Sequence, residues 1–324
     1  MPDNIKYKNS FYQLKKDLES KIVLLDGAMG TMVLNSDSFK EKKYDRCIDY
    51  LVLTKSEMIK SIHKMYLKAG SDIIETNTFG ALDITLKDYG LENSAFEINK
   101  SAALLVKKAI EEYRKENPNE KRNLYVAGAS GPSNKSLSSG NITFEELAHA
   151  YYVSISGLLA GNVDIILLET ILDTESLKAA YLGIQKAMKE YYYVPLMLSF
   201  TLKNTGTTFA GQTIHEIYNT ACSMNPLSIG FNCAVGGEFF GKFIKTLNNI
   251  SNVYTSFYPN AGLPDKNGKY GKTPDILASE IEFFFKNSCL NIVGGCCGTT
   301  PEHIRQIKEK SIKYLPRSIE LPVL

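Results

Sequence analysis

Cys296 and Cys297 are adjacent, set between Gly294-Gly295 and Gly298-Thr299-Thr300-Pro301, directly after the apolar run Leu290-Asn291-Ile292-Val293. Neighbouring cysteines bridge each other poorly, because a disulfide needs well-separated Cα atoms. The flanking glycines leave both sulfurs unobstructed and let the backbone turn them toward one object. A third cysteine stands in Gly230-Phe231-Asn232-Cys233-Ala234-Val235-Gly236, again at the end of an apolar, strand-like run. Three thiolates suit a tetrahedral zinc ion and leave one position open, which distinguishes catalytic zinc from closed structural zinc. Zinc deprotonates a bound thiol outright, whereas a free one, with a pKa of about 8.5, is mostly protonated at neutral pH. Three cysteinates bring the site's net charge to about −1, so an incoming fourth sulfur keeps its electron density. The chemistry to expect is activation of a thiol as a nucleophile. The plain alternatives are a glycine-bracketed core turn for Cys296 and Cys297 and a small buried residue for Cys233. Cys47, Cys222 and Cys289 lack this setting and read as ordinary thiols.

Such residues need elements to bring them together. Short Val-, Ile- and Leu-rich runs predict strands at residues 21–26, 72–76, 124–130, 164–170, 196–201, 227–233, 253–259 and 291–296. Helix-period segments lie between them, among them residues 56–69, 94–113, 144–160, 175–189 and 301–314. Apolar strands alternating with amphipathic helices predict a parallel sheet covered by helices, and eight units over this length fit a (β/α)8 TIM barrel. No composition break or long linker divides the chain, so a single domain is expected. Its parts are an N-terminal helical extension at residues 1–20, the barrel at 21–314 and a C-terminal tail at 315–324 containing Pro316 and Pro322. A helix at residues 10–21 is expected to cover the barrel floor. In such a barrel the carboxyl ends of all strands meet on one face, where active sites form. Asp26-Gly27, Asn77-Thr78, Ser130-Gly131-Pro132, Glu169-Thr170, Asn232-Cys233, Asn260 and Cys296-Cys297 all fall there.

Composition narrows the class. The 324 residues are 44% hydrophobic, enough for a large core, and carry a net charge of only +2. That balance argues against nucleic acid or an anionic membrane as partner. Met1-Pro2-Asp3-Asn4-Ile5-Lys6-Tyr7-Lys8 has no signal-peptide pattern, so a cytoplasmic location with reduced thiols is expected. The glycines at 27 and 30 lack the third glycine of a dinucleotide fingerprint, and no P-loop occurs. His303 follows Thr300-Pro301 and reads as a first-turn residue, while His63, His149 and His215 are isolated on helix-like segments.

The ordered motifs resemble the homocysteine-binding, zinc-containing methyltransferase domain of cobalamin-dependent methionine synthase, within the homocysteine S-methyltransferase family. The matching stretches are Leu24-Leu25-Asp26-Gly27-Ala28-Met29-Gly30-Thr31-Met32, Ala69-Gly70-Ser71-Asp72-Ile73-Ile74-Glu75-Thr76-Asn77-Thr78-Phe79, Gly211-Gln212-Thr213, Pro259-Asn260-Ala261-Gly262-Leu263-Pro264 and the Cys296–Cys297 motif. The likeness runs from about residue 14 to 312. Betaine- and S-methylmethionine-dependent relatives share the zinc cysteines but match the other segments less well. Residues 39–53 look shorter than usual, and Ser130 and Ser133 stand where Gly-Pro-Thr is frequent. No Asp-x-His-x-x-Gly stretch for a cobalamin base is present, so a standalone methyltransferase or a piece of a larger synthase is expected.

The resemblance implies zinc on Cys233, Cys296 and Cys297 and homocysteine as the substrate whose thiol is methylated. Homocysteine also carries a carboxylate and an ammonium. The Asp26-Gly27-Ala28 turn offers backbone N–H groups to the carboxylate. Glu169 is either an N-cap-like turn residue or the acceptor of the ammonium, the role the family assigns it, and Asp26 either makes a rim hydrogen bond or assists. Asn77, Thr78 and Asn232 serve either rim packing or substrate binding. Asn260 is either a turn residue or a weak amide ligand filling the fourth zinc position before substrate. Methylcobalamin, carried by a transiently docking domain or protein and not held tightly by this chain, is the implied donor. S-methylmethionine or betaine, another thiol or selenol acceptor, and a non-catalytic zinc-stabilised binding subunit are the alternatives.

Overall fold

Strand periodicity sorts the side chains of this chain into two sets, one pointing into a barrel and one pointing out to its helices. The computed structural model describes residues 7–36, 47–233 and 237–319, with backbone alone for 237–240. Eight parallel strands run β1 (Val23–Leu24), β2 (Ile73–Glu75), β3 (Tyr125–Ser130), β4 (Ile165–Ile171), β5 (Leu196–Phe200), β6 (Ser228–Asn232), β7 (Tyr254–Tyr258) and β8 (Ile292–Val293). Their order is β1-β8-β7-β6-β5-β4-β3-β2. A parallel bridge between Leu25 and Ile73, with the Asp72 N–H on the Leu24 carbonyl at 2.7 Å, joins the two ends of the sheet. The fold is a (β/α)8 barrel, as expected. All eight expected strands form, but β1 and β8 are only two residues each. At Gly294 the chain presses on β1, where a Cβ would lie 2.7 Å from that of Leu25 and 2.8 Å from the Asp26 carbonyl.

Twelve α-helices accompany the strands among the described residues. They are α1 (Asn9–Ser20), α2 (Met29–Leu34), α3 (Leu51–Thr54), α4 (Ser56–Ala69), α5 (Asp83–Leu86), α6 (Ala95–Glu116), α7 (Phe144–Ala160), α8 (Thr174–Glu190), α9 (Ile214–Cys222), α10 (Gly237–Ile250), α11 (Pro274–Lys286) and α12 (Pro301–Ser311). Capping explains several boundaries. Thr143 with Glu146, and Thr213 with Glu216, close reciprocal capping boxes at α7 and α9, and Asp173 caps α8 through the Ser176 N–H. Glycines let three of these helices touch backbone to backbone. A Cβ on Gly157 would stand 2.4 Å from the Phe96 carbonyl oxygen, and one on Gly183 2.4 Å from that of Ala148. The short segment expected between the first strand and the first long helix falls partly on residues 37–46, outside the described residues, as do Ala234-Val235-Gly236.

The barrel floor is closed by the chain's own amino-terminal helix. Leu14 and Leu18 of α1 are fully buried among Val23, Leu25, Ile73, Tyr125, Ile165 and Met197, the inward side chains of the strands. At that same face the tail is pinned by Arg317, whose guanidinium donates to the Val253 carbonyl at 3.0 Å and to those of Ser251 and Asn248. No helix among the described residues is long and apolar enough to cross a membrane.

Candidate metal centre and substrate pocket

Counting by twos up each strand from the apolar floor leads to a polar layer at the top of the lumen. Ile73 gives way to Glu75, Leu167 to Glu169, Met197 to Ser199, and Tyr254 leads through Ser256 to Tyr258. Asn232 ends β6 in the same layer and is completely buried. The barrel thus carries a dry plug below and a polar cup above.

The cysteines cap this cup. Cys233 follows β6 with φ of 54°, and Cys296 and Cys297 follow β8. Their three sulfurs lie within 4.8 Å of one another, and Cys233 Sγ is 4.0 Å from Cys297 Sγ. A zinc ion with Zn–S bonds of about 2.3 Å needs sulfurs about 3.8 Å apart, so the three residues fit a metal with small adjustment. Backbone bonds fix the pair: the Cys296 N–H donates to Pro259 O at 2.8 Å, and Ala261 N–H to Cys297 O at 2.9 Å. Thr299 Oγ donates to Cys296 O at 2.7 Å. Gly298, at φ of 80°, admits the Tyr270 ring, since a Cβ there would stand 2.2 Å from Tyr270 Cγ. Hydrogen bonds from Cys233 and Cys296 draw the Cys297 thiol down to about 3. Cys296 is pushed well up by its bonds to the other two thiols and by burial. Cys233 receives some relief from Cys296, but its bond to Cys297 and burial raise it to about 11. One thiol of the three is therefore ready to ionise, and its charge raises the cost of ionising the others. The Asn260 side chain lies beside Cys233, where it favours the thiolate, and its Oδ1 is buried without a hydrogen-bond partner among the described residues.

Asn232 ties the cysteines to the neighbouring strands. Its Oδ1 accepts the Thr170 N–H at 2.9 Å and the Ser199 hydroxyl at 2.8 Å. Its Nδ2 donates to Thr170 Oγ1 at 2.8 Å, faces Glu169 Oε2 at 3.5 Å and approaches Cys296 Sγ at 4.0 Å. These bonds hold Thr170 at φ of 57°, an uncommon conformation for a β-branched residue.

Glu169 shares the cup with two more acids. Glu75 follows Ile73 inward on β2, and Asp26 Oδ2 accepts the Glu75 N–H at 3.2 Å. Asp26 Oδ1 is buried with no partner among the described residues. Burial raises all three acids: Glu169 to about 7, and Glu75 and Asp26 well above the carboxylate range. Beside Glu169 a cavity of about 550 Å³ opens between the loops after β3, β4 and β5, reaching Ser130, Asp173, Phe209 and Gln212.

The other expected site residues lie on the rim. Asn77 donates to the Ile48 carbonyl at 2.8 Å and Thr78 to that of Ala129 at 2.7 Å, and neither is brought to the sulfurs. The Ala28 N–H is taken by Thr299 Oγ at 3.1 Å, while the Gly27 amide donates to no acceptor among the described residues and sits where a Cβ would meet Thr299 and Tyr66 within about 3 Å. His303 caps α12 through Nδ1, which accepts the Thr300 N–H at 3.2 Å. Glu75, Ser199, Tyr258 and Tyr270 were not singled out from the sequence. A charged residue ending an apolar strand was the available signal for Glu75; nothing local pointed to Tyr270.

Comparison with known proteins follows the same lines. The metallated form of the homocysteine methyltransferase MmuM from Escherichia coli superposes with a TM-score of 0.78 at 23% identity, covering 94% of this chain and 100% of that one. Its oxidised form gives 0.76 at 22%, with the same coverage. At these identities the likeness is one of fold. The model of the homocysteine S-methyltransferase family matches residues 23–311, from the first strand through the cysteine pair to the last helix. With nearly the whole barrel matched, the chain belongs to the homocysteine S-methyltransferase family.

Proposed function

We propose that this protein is a zinc-dependent homocysteine S-methyltransferase that forms methionine. The observation that carries the reading is the convergence of three cysteine sulfurs within 4.8 Å above a buried acidic cup. Cys233, Cys296 and Cys297 would hold the zinc, with Asn260 as the exchangeable fourth ligand, and the metal would supply an ionised, still nucleophilic substrate sulfur. The chain's own groups do the rest. Glu169, held by Asn232, and Asp26 accept the ammonium, and the Gly27 amide is free to take the carboxylate. Asn77 and Thr78 shape the rim around the substrate from their fixed positions. Tyr270, folded over Cys297, limits water at the sulfur.

For the donor we favour methylcobalamin presented transiently by another domain or protein, because the matching segments are those of the cobalamin-dependent synthase barrel. A free sulfonium such as S-methylmethionine is the second reading, favoured by three buried acids with no ion pair to a cationic side chain among the described residues. Purified protein is expected to carry about one zinc per chain and to convert homocysteine to methionine with one of these donors. Protein that binds no zinc and yields no methionine with either donor would refute the reading. Activity with S-methylmethionine alone would reassign the donor and leave the thiol chemistry in place.

A further inference from the structure

The turn that carries two of the three sulfurs is clamped from outside the metal site. Its backbone is tied to the chain leaving β7, through the Cys296 N–H on Pro259 O and the Ala261 N–H on Cys297 O. On the other side the Gly298 N–H donates to Thr31 Oγ1 of α2 at 2.9 Å. The two bonds toward β7 lie at the root of a hairpin formed by residues 259–273. Pro264 and Tyr270 bridge antiparallel within it, and the Lys272 N–H closes it on the Ala261 carbonyl at 3.0 Å. Residues 263–269 are all exposed, so the hairpin has no core of its own. It is held to the barrel by His303 Nε2, 3.0 Å from the Lys272 carbonyl, and by Tyr270. The tyrosine is half-buried, and its ring fills the place of a Cβ on Gly298, which would stand 2.2 Å from Cγ. Asn260, beside Cys233, belongs to the same hairpin root.

Three thiolates within 4.8 Å repel one another, and a turn free to open would relieve that repulsion by spreading the sulfurs. We propose that Tyr270 is a positioning residue of the metal centre. Its ring, wedged on Gly298, keeps the Cys296–Cys297 turn and the Asn260 end of the hairpin in register, so that zinc is held more tightly and released more slowly. This rests on the reading of the three cysteines as a zinc site. Tyr270 supplies no ligand. It acts through Gly298, whose missing Cβ and φ of 80° make room for the ring. Outer groups that orient metal ligands are typically worth about 10–100-fold in metal affinity.

The test is competition for zinc between the purified, zinc-loaded protein and a chromogenic chelator, which reads both affinity and release rate. Tyr270→Ala is expected to lower zinc affinity about 10–100-fold and to speed release. Tyr270→Phe, which keeps the ring, is expected to hold zinc as the parent does. The zinc-free forms of all three should melt alike, because the clamp lies on the rim and the core below it is unaltered. Gly298→Ala, which puts a Cβ into the ring's place, reads the contact from the other side and should lose zinc in the same way, whether or not Tyr270→Ala folds. Parental zinc affinity and release in a folded Tyr270→Ala or Gly298→Ala protein overturns the clamp while the function stands. Tyr270→Phe losing as much zinc as Tyr270→Ala assigns the effect to the hydroxyl and overturns the role of the ring. A zinc-free Tyr270→Ala protein that melts far below the zinc-free parent makes Tyr270 a residue of the fold and likewise overturns it. A parent protein that binds no zinc overturns this proposal together with the functional reading.

Discussion

His63 offers the sharpest test of how the barrel is held together. It lies on α4, fully buried, and neither ring nitrogen has a hydrogen-bond partner among the described residues. Burial holds it neutral, with a pKa lowered to about 3. The folded state therefore resists a proton that the unfolded chain takes up below about 6.5. The sign follows: stability is intact above that value and falls as pH drops toward about 3, by about 1.4 kcal/mol per unit. At pH 5, about 1.5 units below the unfolded value, the loss is about 2 kcal/mol. His63→Met, similar in volume and without nitrogens to satisfy, should remove this loss and add about 1–3 kcal/mol at neutral pH by relieving the unpaired polar group. Urea unfolding of both proteins at about pH 7.5 and pH 5 measures the double difference. An equal acid loss in both proteins would show that His63 is paired or protonated in the native state, and the reasoning would fail.

Three other perturbations probe the site and its frame. Cys296→Ser is expected to release zinc, read by metal analysis, while circular dichroism and melting remain near those of the parent, because the core lies below the rim. Glu169→Gln should weaken homocysteine binding by about 2–5 kcal/mol in calorimetry with zinc content unchanged, because a desolvated charge partner is lost and a metal ligand is not. Gly157→Ala forces a Cβ to 2.4 Å from the Phe96 carbonyl, so α6 and α7 must part. A loss of about 1–3 kcal/mol in denaturant unfolding is expected, with the metal site untouched.

The barrel was legible because its signals are local and repeated. Every expected strand is present, and α4 and α7 begin and end at the expected residues, the latter at its capping box. The cysteine cluster was legible because the fold places all strand ends on one face. Glu75 was overlooked for a different reason. Its inward direction depends on the phase set by Ile73 two residues earlier, and that phase has meaning only once the lumen is known. The close approach of Gly294 to Leu25, where β8 meets β1, is a contact between residues from opposite ends of the chain that no local pattern reveals. Likewise the positive φ of Thr170 is held by the bonds of Asn232, which the sequence shows only as one more polar residue at a strand end.

The placement of the cysteines along the chain also sets a timetable. Cys233 and Cys297 are 64 residues apart, and the strand that leads to the pair is the one that closes the ring against β1. At a synthesis rate of about 5–20 residues per second, Cys233 exists as a lone thiol for about 3–13 s before its partners have been made. The three-cysteine cluster is incomplete while the first seven strands are translated, so a zinc ion held by all three, as proposed, would take no part in that stage. On the proposed function, the metal would meet a barrel whose floor and walls can already be in place. Scarcity of zinc in the cell would thus leave folded, empty protein that can be loaded later, in place of chains that never fold.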